Sequence, residues 1–453
     1  MNTSYAPPLF LPGEPPAGVL KGAAAMFYVV DPADTTFQDA DDVPNFFRQA
    51  WPYFVAFMLL ENLLLWLEGR PTARLNDSLT SISHGLFQEC GRLVFRGAEH
   101  WAYVSIYERW RLLDLPWDSP ATWYLALVGV DFCYYWVHRA CHEVHILWAQ
   151  HQVHHSSEEY NLAVGLRQSL LQGWCGFVFY LPLALAIPPS HFLVHQQFNL
   201  LYQFWIHTQA VTTLGPLEWV LNTPKHHRVH HGCNLYCLDK NYGGFLIVWD
   251  RLFGTFAEER KGEEIVYGLV FNQPSFNPLY LQVFYNQHVV DKWRAMDNWW
   301  DKLAAVWKGP SWQPGKPRLG LDEDKLDIRS REKYDVRLPL WCNAYLLLHF
   351  CVVVYGFQEL AARHMGMSPA VVLLFVAYVL ASLTAIGLLF DNSPHASLLE
   401  LVRCLAFLAY VQGSGLHLTG GPRVSVLQSF FLLSSCFWLL KGLRVLHIES
   451  KAQ

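Results

Sequence analysis

The stretch TWYLALVGVDFCYYWVHRACH, residues 122–142, joins a continuous apolar run to two histidines that are four residues apart. The run Thr122–Val137 approaches the roughly 20 apolar residues that a helix needs to cross the hydrocarbon core of a bilayer. His138 follows this run directly. We therefore expect the histidines of this segment to lie near the boundary between membrane and water.

The composition of the whole chain also indicates a membrane protein. Of its 453 residues, 52% are apolar and only 16% are charged, against roughly 25% charged in soluble domains. Further long apolar runs are Trp51–Trp66, Leu170–Ile187, Leu340–Leu360, Val371–Leu389 and Val424–Leu440. Runs interrupted by polar residues are Leu86–Val104, Phe192–Leu214 and Leu398–Val411. We predict an all-α, polytopic helical bundle with about eight or nine embedded helices, re-entrant ones included.

The sequence divides into three blocks without internal repeats. Residues 1–46 are predicted to be irregular, 47–338 to form the main membrane domain with a polar interval at 257–338, and 339–453 to form C-terminal membrane helices. The N-terminus does not read as a cleaved signal peptide. No block of Lys and Arg indicates a nucleic-acid partner, and the scattered cysteines are expected to be free thiols.

Within the polar interval, HVVDKWRAMDNWWDKLAAVW (288–307) has the spacing of an amphipathic helix. Such a helix either lies in the headgroup region of the bilayer or packs on the protein as a soluble helix. The sequence leaves both alternatives open.

Histidine placement carries the most information about function. Of 21 histidines, 13 fall between His138 and His231, most of them in HRACH (138–142), HQVHH (151–155) and HRVHH (227–231). Residues at i, i+3 and i+4 share one face of a helix, so these motifs place eight imidazoles on three helical faces. The eight candidate metal ligands are His138, His142, His151, His154, His155, His227, His230 and His231.

The number of imidazoles indicates which metal the site would bind. Catalytic zinc keeps only three protein ligands, so two zincs with four histidines each would be closed sites. Iron accepts six ligands, so four histidines per iron leave positions open for oxygen chemistry. Glu143, Glu158 and Glu159 follow two of the motifs, where each either orients a ring N–H or is a solvated charge.

The motifs HRACHE, HQVHHSSEEYNL and NTPKHHRVHHGCN, followed by DKNYGGFLIVWDRLFGTF (239–256), resemble the membrane-bound fatty acid hydroxylase and sterol desaturase superfamily. Within it, the likeness is to glyceryl-ether monooxygenases. The resemblance implies the eight histidines as iron ligands and His207, in FWIHTQ, as a ninth candidate. It also implies a non-haem di-iron enzyme of the endoplasmic reticulum that hydroxylates an ether lipid beside its ether oxygen.

The same resemblance implies O2 and tetrahydrobiopterin as co-substrates, with a pterin-regenerating reductase as a functional partner and membrane lipids around the helices. The fold class is thus expected to include a histidine-rich di-iron site at the cytosolic membrane boundary. Alternatives are a sterol or fatty-acyl hydroxylase or desaturase with the same iron centre, and a metal transporter. A transporter should spread its ligands along a path, often across inverted repeats, whereas this chain concentrates them.

Two further predictions come from the third motif. A helix turns 100° per residue, so His226 falls off the face that His227, His230 and His231 share, and we predict that it is not a ligand. Lysines and arginines flank this motif at Lys225, Arg228, Lys240, Arg251, Arg260 and Lys261. Because loops rich in Lys and Arg tend to be cytoplasmic, we expect the site to face the cytosol.

Overall fold

The computed structural model describes residues 16–95, 97–415 and 421–443. Within these ranges the chain forms sixteen α-helices and no strand, with two isolated β-bridges only. The helices are α1 Pro16–Ala25, α2 Phe46–Leu67, α3 Leu75–Phe95, α4 Ala98–Trp110, α5 Pro120–Glu143, α6 His145–His155, α7 Gln172–Tyr180, α8 Pro189–Trp205, α9 Pro224–His231, α10 Val248–Phe253, α11 Pro278–Arg294, α12 Trp299–Trp307, α13 Leu340–Arg363, α14 Pro369–Phe390, α15 Ala396–Gly413 and α16 Gly421–Gly442. The all-α prediction is confirmed.

Five helical segments of the described chain are long and apolar enough to cross a membrane: Ala40–Leu67, Leu340–Gly366, Pro369–Phe390, Ala396–Gly413 and Gly421–Gly442. The protein is therefore a multi-pass membrane protein, with fewer full-length spans among the described residues than the eight or nine embedded helices expected.

The run 170–187 shows one reason for the difference. It divides into the nine-residue α7 and a 3₁₀ turn, Leu181–Leu185, that contains Pro182 near its start. Because proline lacks a backbone N–H and clashes with the preceding turn of an α-helix, α7 ends before it reaches spanning length. This segment packs against α5 instead.

Two local expectations were wrong. Part of the N-terminal block predicted as irregular is helical, since α1 lies within it. The stretch 288–307 is not one helix, because α11 ends at Arg294 and α12 begins at Trp299. Asn298 starts α12 by accepting a hydrogen bond from the Asp301 backbone N–H at 2.9 Å, and asparagine is a strong helix N-cap.

The histidine-bearing helices meet at sharp turns. Between α5 and α6 only Val144 is non-helical, with φ −124° and ψ 118°, so the chain turns there within one residue. Helix α9 begins at Pro224 after the extended Thr223, and proline is favoured at the first position of a helix. These turns bring the ends of α5, α6 and α9 together.

The C-terminal helices pack on one another and on the rest of the protein through α3 and α14. Leu346 and Phe350 of α13, Leu383 of α14 and Phe87 of α3 belong to one buried cluster. Asp391, directly after α14, accepts hydrogen bonds from Ser275 Oγ at 2.6 Å and from the Phe276 backbone N–H at 2.7 Å.

Between α13, α15 and α16 lies a buried polar cluster that the sequence pattern did not indicate. Arg403 donates to both carboxylate oxygens of Glu400 and to His349 Nδ1, and His349 Nε2 is 3.0 Å from Ser434 Oγ. His349, Glu400 and Cys404 have ligand atoms close enough to hold a metal. Because the Arg403 guanidinium already occupies this position as a cation, we interpret the cluster as an ion pair within α15. Its hydrogen bond to His349, and that of His349 to Ser434, link the three helices.

Candidate metal centre

All nine candidate histidines lie in two buried groups. Group 1 consists of His138, His142, His151, His155 and His230, and group 2 consists of His154, His207, His227 and His231. Within each group the candidate ligand atoms all lie within 4.8 Å of one another. Two sets of five and four nitrogen donors are therefore available for two metal ions.

The two triplet motifs are divided between the groups. His151 and His155 belong to group 1 while His154 belongs to group 2, and in α9 the division is reversed, with only His230 in group 1. Rings at i+3 and i+4 diverge by 100° around the helix, so each triplet reaches both sides. The expected four histidines per centre is thus corrected to five and four, with His207 completing group 2.

The two groups adjoin each other. The rings of His155 in group 1 and His231 in group 2 have centroids 4.4 Å apart at an interplanar angle of 22°. His230 and His227 are also stacked, at 5.0 Å and 12°. Two metals held by these groups would be neighbours in one centre.

Hydrogen bonds fix the tautomers in group 2. The Nδ1–H of His154 donates to the Arg167 carbonyl at 3.0 Å, and the Nδ1–H of His207 donates to the Gln203 carbonyl at 2.6 Å. In the neutral rings both Nε2 atoms then carry lone pairs, yet they are 3.2 Å apart. Two lone pairs at this distance repel unless a cation lies between them, so the donor set fits a metal ion.

Group 1 follows the same pattern. His138 donates from Nδ1 to the Tyr242 carbonyl and His230 to the Lys240 carbonyl, each at 2.8 Å. Nε2 of His142, His155 and His230 has no hydrogen-bond partner among the described residues. Buried polar atoms without a partner are rare in folded proteins, and these nitrogens converge on one another.

Burial keeps the rings neutral. It lowers the pKa of His154, His155, His227 and His231 well below the usual histidine range, and the neighbouring imidazoles lower it further. Burial lowers the pKa of His207 to about 4. Neutral imidazole is the form that binds metals.

The loop after α9 supplies the carbonyls of group 1, and buried acids hold it in place. Asp250 accepts from the backbone N–H of Tyr242 at 2.8 Å and of Gly243 at 2.7 Å. Asp131 accepts from the backbone N–H groups of Phe245 and Leu246. The geometry of the loop therefore depends on carboxylates that do not touch the histidines themselves.

Of the two roles left open for Glu143, Glu158 and Glu159, none of the three orients a histidine ring; all three make other contacts. Glu143 pairs with Arg139 at 2.8 Å and Arg318 at 2.6 Å. Glu158 accepts from the Tyr334 backbone N–H, and Glu159 pairs with Arg74. Backbone carbonyls orient the histidines instead, and a carbonyl leaves no signature in the sequence.

His226 lies outside both groups, as its helical position predicts. Its ring packs on Phe256 with centroids 5.5 Å apart, and its Nδ1 is 3.4 Å from Thr223 Oγ1. His227, the next residue, has its Nε2 3.0 Å from His207 Nε2.

A polar cleft of about 870 Å³ opens beside group 1. Its wall includes Asp239 and Lys240; Asp239 Oδ1 is 3.8 Å from His142 Nδ1, and the Lys240 carbonyl accepts from His230. The charged residues that line it are Arg139, Lys240, Arg260, Lys325, Arg329, Glu143, Asp239, Glu263, Asp322 and Asp327. Five cations therefore face five carboxylates, without an excess of either charge.

The helical membrane fold and the paired histidine groups define a membrane-bound metalloprotein of the fatty acid hydroxylase type. The fatty acid hydroxylase profile matches residues 123–255, a segment that contains all nine candidate histidines. The profile described as alkylglycerol monooxygenase C-terminal domain matches residues 342–427.

Curated relatives resemble the chain over almost its whole length. It is 45% identical to the alkylglycerol monooxygenase of Xenopus tropicalis, over 95% of this chain and 97% of the relative. Identity to the alkylglycerol monooxygenase of Homo sapiens is 44%, over 94% and 96%, and to that of Caenorhabditis elegans 36%, over 85% and 80%. No solved structure matches. The chain belongs to the alkylglycerol monooxygenase family.

Proposed function

We propose that this protein hydroxylates the ether-adjacent carbon of alkylglycerol lipids with O2, a His-ligated di-iron centre and tetrahydrobiopterin. The resulting hemiacetal breaks down to a fatty aldehyde and a glycerol derivative. The observation that carries the proposal is the pair of adjoining histidine groups, found in a chain that is 43–45% identical to three alkylglycerol monooxygenases.

Group 1 and group 2 would each hold one iron. When bound, iron in such a centre activates O2 for insertion of one oxygen atom into a C–H bond. The second oxygen atom leaves as water, with two electrons from the reduced pterin and two protons. Imidazole also suits zinc and copper, so the choice of iron is supported by the family and not by the donor type.

The protein's own residues prepare this chemistry in two ways. Carbonyls of Arg167, Gln203, Lys240 and Tyr242 hold Nδ1–H groups so that Nε2 points into the site. Aromatic rings cover the groups: Trp148 lies 5.5 Å from His155 between ring centroids, and Tyr160 lies 5.4 Å from His231. These rings exclude water from the site.

The size and lining of the cleft beside group 1 are evidence that the reductant is a small polar molecule. Its volume is in the range of small-molecule sites, and its lining is charged, so it suits a water-soluble molecule better than a lipid. Because its cations and carboxylates balance, it favours a neutral hydrogen-bonding heterocycle such as a pterin over a reductant that carries phosphates.

We propose the endoplasmic reticulum membrane as the location, with the site and the polar interval 257–338 facing the cytosol. The cations around α9 support this orientation. All nine histidines lie outside the five candidate spans, which does not favour a transport path through the bilayer.

The decisive experiment uses purified full-length protein in lipid nanodiscs with O2 and tetrahydrobiopterin. Labelled alkylglycerol, sterol and fatty-acyl lipids are supplied separately, and the products are identified by mass spectrometry. We expect fatty aldehyde from the alkylglycerol and about two irons per chain by elemental analysis. A hydroxylated or desaturated sterol or acyl chain as main product would replace the substrate assignment, and turnover with zinc and no iron would overturn the di-iron centre.

A further inference from the structure

Helix α12 exposes more aromatic surface than a helix in water normally does. Trp299, Trp300 and Trp307 are 70%, 81% and 62% exposed, and Leu303 is 48% exposed. These four residues lie within nine positions. Contiguous exposed apolar surface marks an interaction site, and tryptophan in particular is enriched where a membrane meets water.

The position of α11 connects this surface to the end of a membrane-spanning helix. Asp391, directly after the spanning helix α14, binds Ser275 and Phe276 just before α11 begins. A Cβ atom at Gly387 of α14 would overlap the Phe276 carbonyl oxygen, so the two segments are in close contact. Helix α11 therefore starts at one boundary of the membrane.

The apolar surface continues along α11. Leu279, Tyr280, Val283 and Val290 are all exposed, although α11 also packs on α6 and α14. Four residues, 295–298, then connect α11 to α12. Exposed apolar residues thus occur along both α11 and α12, starting next to the end of α14.

A lysine of α12 lies beside tryptophans of this surface. The Lys302 ammonium is 4.6 Å from the ring centre of Trp293 and 5.8 Å from that of Trp299. Lysine can bury its aliphatic stem against apolar surface while its charge reaches phosphate headgroups. Aromatic rings combined with such a lysine match the chemistry of the headgroup region.

Hydrogen bonds couple α12 to the metal centre. His145, the first residue of α6, donates its backbone N–H to the Lys308 carbonyl at 2.9 Å and its Nδ1–H to the Ala305 carbonyl at 2.8 Å. Helix α6 carries His151, His154 and His155. The depth of α12 in a bilayer therefore determines the depth of these three histidines.

We propose that α12, with the exposed face of α11, lies in the lipid headgroup region and fixes α6 at the depth of the glycerol backbone. The occupant of the surface is phospholipid of the bilayer that holds the five spans. The link to substrate depth rests on the proposed function, because the reacting carbon of an ether lipid lies next to its glycerol backbone. Binding of α12 to lipid does not depend on that function.

The test uses the full-length protein in phosphatidylcholine nanodiscs that contain a phosphatidylcholine with a diazirine near the glycerol end of one acyl chain. After illumination, mass spectrometry locates the labelled residues. We expect label in 299–307 comparable to that on exposed residues of α13, and several-fold above that in 319–329, where Leu326 is half exposed. Label in 299–307 no higher than in 319–329 would overturn the proposal.

A variant pair tests the consequence for substrate. Trp299→Gln with Trp300→Gln should cut the label in 299–307 several-fold and raise KM for alkylglycerol in vesicles, with iron content and kcat retained. Leu326→Gln, the control, should change none of these. Strong labelling of 299–307 without turnover of alkylglycerol would reject the proposed function and support binding of α12 to lipid. Turnover of alkylglycerol without labelling of 299–307 would support the function and reject the binding of α12 to lipid.

Discussion

The adjacent histidines His226 and His227 provide a test at the scale of single residues. The His226 ring packs on Phe256, whereas the His227 Nε2 points at His207 in group 2. His226→Gln should therefore retain bound iron and much of the turnover, and His227→Gln should lose both, as measured by elemental analysis and product formation. Equal loss of iron in both variants would show that the register of this motif is assigned wrongly.

Asp250 provides a second test, on a residue that does not contact a histidine. Its Oδ2 accepts from the Gly243 N–H, while its Oδ1 accepts from the Tyr242 N–H and from Thr255 Oγ1. Asparagine has one acceptor oxygen, so Asp250→Asn leaves at least one buried donor without a partner. We expect a loss of about 1–3 kcal/mol in the free energy of unfolding and weaker iron retention, because the Tyr242 carbonyl that orients His138 moves.

The same variant has a defined pH dependence. Burial raises the pKa of Asp250 from 3.8 to about 6 in the folded protein, so the folded state binds a proton that the unfolded state releases. The contribution of Asp250 to the free energy of unfolding is greatest below pH 4 and is lost as the pH rises through 6. The melting temperature of the wild type minus that of Asp250→Asn should fall between pH 4 and 6 and then level off. A difference that rises across this range would contradict the assignment.

At the scale of elements, α5 and α7 pack closely beside His138. Val137 is the residue before His138, and a Cβ atom at Gly176 of α7 would lie 2.7 Å from its Cγ1. Gly176→Ala should therefore destabilise the protein by about 1–3 kcal/mol through overpacking and reduce bound iron, measured by thermal unfolding and elemental analysis. Gly356→Ala in α13, where the space is open, is the control and should leave both unchanged.

The buried Arg403–Glu400 pair of α15 is the centre of the polar cluster that contacts α13 and α16. Arg403→Met leaves the Glu400 carboxylate buried without its partner, which should destabilise the protein by about 3–5 kcal/mol. Combining it with Glu400→Gln should restore most of that loss, because neither charge then remains. Arg423→Met, on the exposed start of α16, is the control. If the double variant unfolds as easily as Arg403→Met in thermal melts, the pair does not act as a unit.

At the scale of the whole molecule, orientation in the membrane can be read from two turns. Span α13 separates the exposed turn 313–315 from Met365, which is 77% exposed. If the polar interval faces the cytosol, a glycosylation sequon at 313–315 stays unmodified, and a longer loop with a sequon inserted after Met365 is glycosylated. Gel-mobility shifts after expression in cells report the result, and the opposite pattern would place the metal centre in the lumen.

The division of the chain also belongs to this scale. We propose that 47–338 is the catalytic unit and 339–453 a membrane-embedded support. The C-terminal profile match, 342–427, begins close to the proposed boundary. The contacts of α14 with α3 and α11 mean that the support reaches the elements that frame the histidines.

The sequence by itself determined the features that depend on local pattern. Long apolar runs predicted the C-terminal spans, since crossing the bilayer requires about 20 apolar residues in succession. Spacings of i, i+3 and i+4 indicated eight histidines as one site, since those positions share a helical face. The same geometry predicted that His226 points elsewhere.

Only the tertiary structure decided how these parts combine. It brought His207 against His154, 53 residues away in the chain, and divided the nine candidate histidines into five and four. It also showed that backbone carbonyls of Arg167, Gln203, Lys240 and Tyr242, and not the three candidate glutamates, accept from the ring N–H groups. Helical periodicity specifies which side chains share a face but not which distant segments that face meets. Every residue carries the same carbonyl group, so its role as an acceptor follows from packing alone.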